Sequence, residues 1–91
     1  MIRQIIQVEN KLGLHARAAA KLVRLASRYS SQIHLSREGK STRIDSKSIL
    51  GVLMLAASQG TRLVLSVNGK DEGEAEEAIR RLFEGKFGEE S

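Results

Sequence analysis

The 91-residue chain contains no cysteine, no proline and no tryptophan, and its aromatic residues are only Tyr29, Phe83 and Phe87. Without cysteine there is no disulfide, no thiolate metal site and no thiol nucleophile, so packing alone must hold the fold and a cytoplasmic location is expected. With so few aromatic side chains, the stacking platform that single-stranded nucleic-acid binders use is missing. No apolar run approaches the length of a membrane span, and Met1 to Val8 alternate polar and apolar rather than placing a charged stretch before an apolar block. Neither insertion nor export is expected from that pattern. The two histidines, His15 and His34, stand at no ligand spacing, so neither a metal nor a cofactor is expected.

What is present is a chain 41% hydrophobic and 29% charged, which suits one small globular domain spanning residues 1–91. Fifteen Lys and Arg against eleven Asp and Glu leave a net charge of +4. That balance raises a nucleic-acid reading, but its distribution argues otherwise. Residues 71–91 carry eight acidic and three basic groups, so residues 1–70 carry twelve basic against three acidic, a polarised arrangement suited to docking acidic protein surfaces.

Periodicity divides the chain into seven elements. Ile2, Ile6 and Val8 oppose Arg3 and Gln7 at period two, which predicts a strand over 2–8. Ala18, Leu22, Leu25 and Tyr29 recur at helical spacing and predict a helix from near His15 to near Ser30. Ile33 and Leu35, then Thr42 and Ile44, predict a hairpin around Glu38 and Gly39. Ser46 to Ala57 reads as a short helix with serines at its start and Gly60 beyond it. Within it, Val52, Leu55 and Ala56 make one apolar face and Ile49, Leu50 and Leu53 another, and only one of the two can be fully buried against a sheet. Leu63, Leu65 and Val67 form a fourth strand that ends at Asn68-Gly69. Asp71 with Glu74 reads as a capping box for a third helix, with Glu74, Glu76 and Glu77 on its solvated side. The polar stretch 85–91 is expected to fray. The order βαββαβα implies an α+β fold, an open-faced sandwich of four antiparallel strands with three helices on one face.

Chemistry concentrates in Gly13-Leu14-His15-Ala16-Arg17, where a loop becomes a helix. The backbone N–H groups of Ala16, Arg17 and Ala18 are free at such a start, and the helix dipole adds partial positive charge. Histidine is a poor choice of cap compared with Ser, Thr, Asp or Asn, so its presence suggests another role. A neutral imidazole can attack phosphorus, and the resulting phosphoryl group would meet those amides and the Arg17 guanidinium.

That motif, followed by Lys47-Ser48-Ile49-Leu50-Gly51, resembles the HPr family of histidine phosphocarriers from the bacterial phosphoenolpyruvate-dependent sugar phosphotransferase system, and the likeness extends over nearly the whole chain. The resemblance implies that His15 accepts a phosphoryl group on Nδ1 from phospho-Enzyme I and passes it to enzyme IIA domains, with Arg17 steadying it. Such a carrier is not an enzyme, because it turns over only with its partners. Ser48 matches the serine that an HPr kinase/phosphorylase modifies in many bacteria, with Ser46 as a neighbouring candidate. Ile49, Leu50 and Leu53 match a docking patch, for which Lys47 and Arg24 would supply a basic rim. One such patch suits transient docking by a monomer.

Two positions depart from the family pattern. Ala18 stands where proline is usual, which frees an amide and loosens the first helical turn. Leu50 stands where methionine is common, a volume-conserving change. The first departure leaves open a nitrogen-branch or fructose-branch paralogue with mainly regulatory output. A small basic nucleic-acid-binding domain is the alternative of another class, but no nucleic-acid partner is expected without stacking aromatics or a recognisable loop.

Overall fold

The computed structural model describes residues 1–89. Its elements run β1 (Ile2–Gln7), α1 (Ala16–Ala26), β2 (Gln32–Arg37), β3 (Ile44–Asp45), α2 (Ile49–Met54), β4 (Arg62–Asn68) and α3 (Glu72–Glu84), followed by a 3₁₀ turn at Lys86–Gly88. The strands form one antiparallel sheet in the order β1-β4-β2-β3, so the order βαββαβα holds and β4 and β2 are central.

Register follows the alternation of apolar residues. Leu65 of β4 stands opposite Leu35 of β2 and Val67 opposite Ile33, and all four are buried. Against this inner face α1 lays Ala18, Ala19, Leu22 and Ala26, all fully buried, and α3 lays Ala75, Ile79 and Phe83. The small alanines of α1 let it pack close to α2 and α3, and the larger residues of α3 fill its half of the layer against β1 and β4.

Several elements are shorter than their periodicity predicts. The first helix stops at Ala26, where successive amides change partner: Arg28 N–H donates to Leu25 and Tyr29 N–H to Ala26, tightening the last turn. The second strand of the hairpin is only Ile44–Asp45, so Thr42 lies in the loop. The second helix covers Ile49–Met54 and is halted where Ala56 adopts a left-handed φ of 48°.

The capping box at Asp71 does not form. Asp71 flanks α3 without a side-chain cap bond and instead accepts from the amides of Ser30 and Ser31 and the hydroxyl of Ser31. Those three donors hold its carboxyl at about 2, with the Ser31 hydroxyl the largest cause. The solvated reading of Glu76 also needs correction, since this residue is buried and paired with Arg80 one turn on at 3.1 Å.

The expected frayed end is packed as far as it is described. Phe87 is 1% exposed and meets Phe83 edge to face with ring centroids 4.9 Å apart. Such a pair contributes roughly 0.5–1.5 kcal/mol beyond its burial. Residues 90 and 91 of that expectation lie outside the described residues.

Candidate functional site

Gly13 sets the approach to the site. Its φ is 70°, and a Cβ there would fall 2.5 Å from the Ala57 carbonyl oxygen and 2.9 Å from Ser58 Cα. Only glycine lets the β1–α1 loop lie on the segment that follows α2. The fully buried Asn10 shapes the same loop: its carbonyl accepts from Gly13 N–H, and its side-chain amide donates to the Gly13 carbonyl at 2.8 Å. Leu14 then donates its amide to Ala57 and buries its side chain, which delivers His15 to the start of α1.

His15 occupies the N-cap position with extended backbone, φ −73° and ψ 179°. Its Nδ1 accepts from Arg17 N–H at 3.2 Å, so the imidazole does what a capping serine or aspartate would do. Accepting requires a lone pair on Nδ1. The other ring nitrogen, Nε2, lies 2.6 Å from Oε2 of Glu89. A carboxylate can only accept, so this network puts the ring proton on Nε2 and leaves Nδ1 as the nucleophilic atom. Glu89 is in turn held through Oε1 by the side-chain amide of Asn10 at 3.0 Å. The Asn10 bond first and the His15 bond second lower the Glu89 carboxyl below the usual carboxylate range.

The imidazole is 27% exposed, within reach of a partner. The amides of Ala16 and Ala18 have no acceptor among the described residues, and Arg17 is exposed. Backbone donors and the helix dipole therefore face the space off Nδ1, an arrangement suited to an anion, and the exposed Arg17 side chain leaves from the same helical turn. Among the described residues, no group of three or more His, Asp or Glu side chains could hold a metal ion.

The second motif lies on α2. Ser48 is its N-cap, accepting from Gly51 N–H at 3.1 Å, and is half-buried. Ser46, the neighbouring candidate, is fully buried with its hydroxyl unpartnered, so a modifying enzyme has no access to it in this conformation. Val52 and Leu55 form the inner face, whereas Ala56, read as part of that face, is exposed. Ile49, Leu50 and Leu53 are exposed at 43%, 66% and 38%. Met54, at 71%, extends this patch and was missed by a reading confined to the i, i+1, i+4 stripe.

Two ties orient α2 antiparallel to α1. At one end Leu14 N–H donates to Ala57, and at the other Lys47 Nζ donates to the Tyr29 carbonyl at 2.7 Å. The Leu53–Met54 end of the patch thus lies on the His15 side, and Ser48 lies towards the far end of α1. Lys47 is half-buried in this tie and its ammonium turns away from a free rim, whereas Arg24 is exposed on α1.

Comparison with known proteins agrees with this geometry. The family model described as "PTS HPr component phosphorylation site" matches residues 2–85. The phosphocarrier protein HPr of Cupriavidus necator is 47% identical over 89 residues, covering 98% of each chain. A crystal structure of HPr from Thermoanaerobacter tengcongensis superimposes with a TM-score of 0.93 at 46% identity, covering 100% of both chains. One from Bacillus anthracis gives 0.83 at 34% identity over 90% of this chain and 95% of its own. Matched by the family model over residues 2–85 and by these relatives over nearly its full length with the same fold, the chain belongs to the HPr family, the phosphocarriers of the bacterial phosphotransferase system.

Proposed function

We propose that the protein carries a phosphoryl group on Nδ1 of His15, taking it from phospho-Enzyme I and giving it to enzyme IIA domains of sugar transporters. The observation that carries this reading is the Arg17 N–H bond to Nδ1, because it identifies an unprotonated nitrogen aimed at a helix start. As the Nδ1 lone pair attacks phosphorus, the bond between phosphorus and the donor group of phospho-Enzyme I breaks and its electron pair returns to that donor. The Arg17 amide can then turn from nitrogen to a phosphoryl oxygen, joining the amides of Ala16 and Ala18 and the Arg17 guanidinium. A bond that caps the helix in the free protein thus becomes a bond that holds the cargo.

Docking falls to Ile49, Leu50 and Leu53, with Met54 adjoining and Arg24 as a basic flank. The patch gathers four of the exposed large apolar side chains on one short helix, an area of the kind that suits transient association by a monomer. Among the described residues no helix is long and apolar enough to cross a membrane; the carrier serves transporters from the cytoplasm through their IIA domains.

The test is incubation with phosphoenolpyruvate and Enzyme I. An acid-labile, base-stable phosphate is expected on the wild type and none on His15→Ala. A wild-type chain that takes no label from a competent Enzyme I overturns the reading.

Ser48 is the regulatory position in this proposal, modified by an HPr kinase/phosphorylase. A phosphate there would add roughly −2 charge next to Ile49 and Leu50 while its oxygens could still accept from Gly51 N–H. The helix start keeps its cap, and an acidic partner meets like charge. Phosphoryl uptake by Ser48→Asp should fall through a raised KM for Enzyme I, with an unchanged circular dichroism spectrum; an unchanged KM would count against it.

A further inference from the structure

Glu89 stands 74 positions from His15 in sequence and makes the shortest polar contact of the site, 2.6 Å from Nε2. The chain is brought there by an anchored strap. After α3, Lys86 and Phe87 both take left-handed backbone, φ 55° and 57°, a conformation that costs non-glycine residues roughly 1 kcal/mol or more each. Two contacts offset that strain. Phe87 inserts its ring beside Phe83, and its carbonyl accepts from Lys21 Nζ on the face of α1. Gly88 completes the turn with a φ of 77°. The Glu89 carboxylate is then gripped from both sides, by Asn10 on Oε1 and by His15 on Oε2, and is only 14% exposed. Asn10 also shapes the loop that positions His15, so one buried side chain sets the spacing of ring and carboxylate.

We infer that Glu89 is a positioning residue for phosphoryl transfer, orienting the His15 ring and stabilising the positive charge that develops on it. The inference rests on His15 being the phosphoryl carrier. When Nδ1 donates its lone pair to phosphorus, the proton stays on Nε2 and the ring becomes a phosphoimidazolium. A carboxylate on Nε2–H offsets that charge, just as a carboxylate behind a catalytic imidazole does in acyl transfer. In onward donation the N–P bond breaks, its electron pair returns to Nδ1, and the ring is again the neutral Nε2–H form. Glu89 meets the ring at the nitrogen opposite the phosphoryl group, so it neither blocks the acceptor atom nor touches the cargo.

The experiment compares full-length wild type, Glu89→Gln and Glu89→Ala in uptake from phospho-Enzyme I, with Glu84→Gln on the exposed side of α3 as a control. Gln preserves shape and removes charge, and Ala removes both. The expected result is a fall in kcat of about tenfold in both Glu89 variants, with KM for Enzyme I unchanged and Glu84→Gln like wild type. A second readout needs no donor. In wild type the Nε2 proton should give a strongly deshielded, slowly exchanging proton resonance, which both Glu89 variants should lose. Wild-type labelling with kcat unaltered in both Glu89 variants, or a wild type without the deshielded proton, overturns the role of Glu89 and leaves the carrier reading standing. A wild type that takes no phosphoryl group overturns the carrier reading, and this role with it.

Discussion

Gly13 and Ala56 are two backbone positions in left-handed conformation, one occupied by the residue that suits it and one not. At Gly13 an added methyl would meet backbone atoms of Ala57 and Ser58 that cannot rotate away. Gly13→Ala should therefore lose about 2 kcal/mol or more of stability, measured by urea denaturation, because conformational strain and collision add. The same change should slow phosphoryl uptake, since the displaced loop carries His15. Ala56 is the reverse case. Its side chain is exposed and its carbonyl accepts from Arg37 at 2.9 Å, so the turn has a fixed shape but the methyl has no packing to lose. Glycine there should raise stability by about 0.5–1 kcal/mol, seen as a higher urea midpoint with an unchanged slope. A lower midpoint would mean that the left-handed turn after α2 is not strained by alanine.

The start of α3 shows how one element is fastened to another by a group that local pattern assigns elsewhere. Asp71 binds the amides of Ser30 and Ser31 and so secures the chain between α1 and β2. Its carboxyl is lowered in the folded protein to about 2, from an ordinary value near 3.8. A group with a depressed folded value contributes stability that is complete above its unfolded value and is lost as pH falls towards the folded one. Acid titration of wild type should therefore show stability draining between about pH 4 and pH 2, and Asp71→Asn should be less stable near neutrality and flatter across that window. Equal slopes for the two proteins would contradict the assignment. What was legible in sequence, and what was not, divides along the same line. Period two and period 3.6 mark all seven elements, since each buries one face, and the Gly13–Arg17 motif marks the start of α1. The bonds from Asp71 to Ser30 and from Glu89 to His15 join residues 41 and 74 positions apart, and no local periodicity encodes them. One clue to the strap was present: Phe83 and Phe87 stand four apart, continuing the apolar stripe of α3 past Gly85, where a polar composition suggested fraying.

At the scale of the molecule, the +4 total conceals two unlike halves. Three of the five acidic side chains of α3 pair within the helix, Glu76 and Glu84 with Arg80 and Glu77 with Arg81, all at i, i+4 spacing, and Glu72 pairs with the N-terminal ammonium. On α1 Arg17 and Arg24 are exposed, as is Arg28 in the turn just after it, and no carboxylate among the described residues pairs with them. The two sets therefore project different fields: α3, with five Glu against two Arg, stays net negative, whereas α1 presents open positive charge next to His15 and the apolar patch. Such a field accelerates encounter with an acidic partner and is screened over about 8–10 Å in ordinary salt. The rate constant kcat/KM for uptake from phospho-Enzyme I should fall about tenfold from low to high ionic strength, with kcat almost constant, because screening acts on encounter and not on the N–P exchange. Arg24→Glu should lower kcat/KM in dilute buffer and flatten its salt dependence. Glu77→Gln on α3 should change neither, although it alters the net charge by the same sign as removing any acid. If kcat/KM tracks net charge instead of the identity of the helix, the α1 field is not what guides docking.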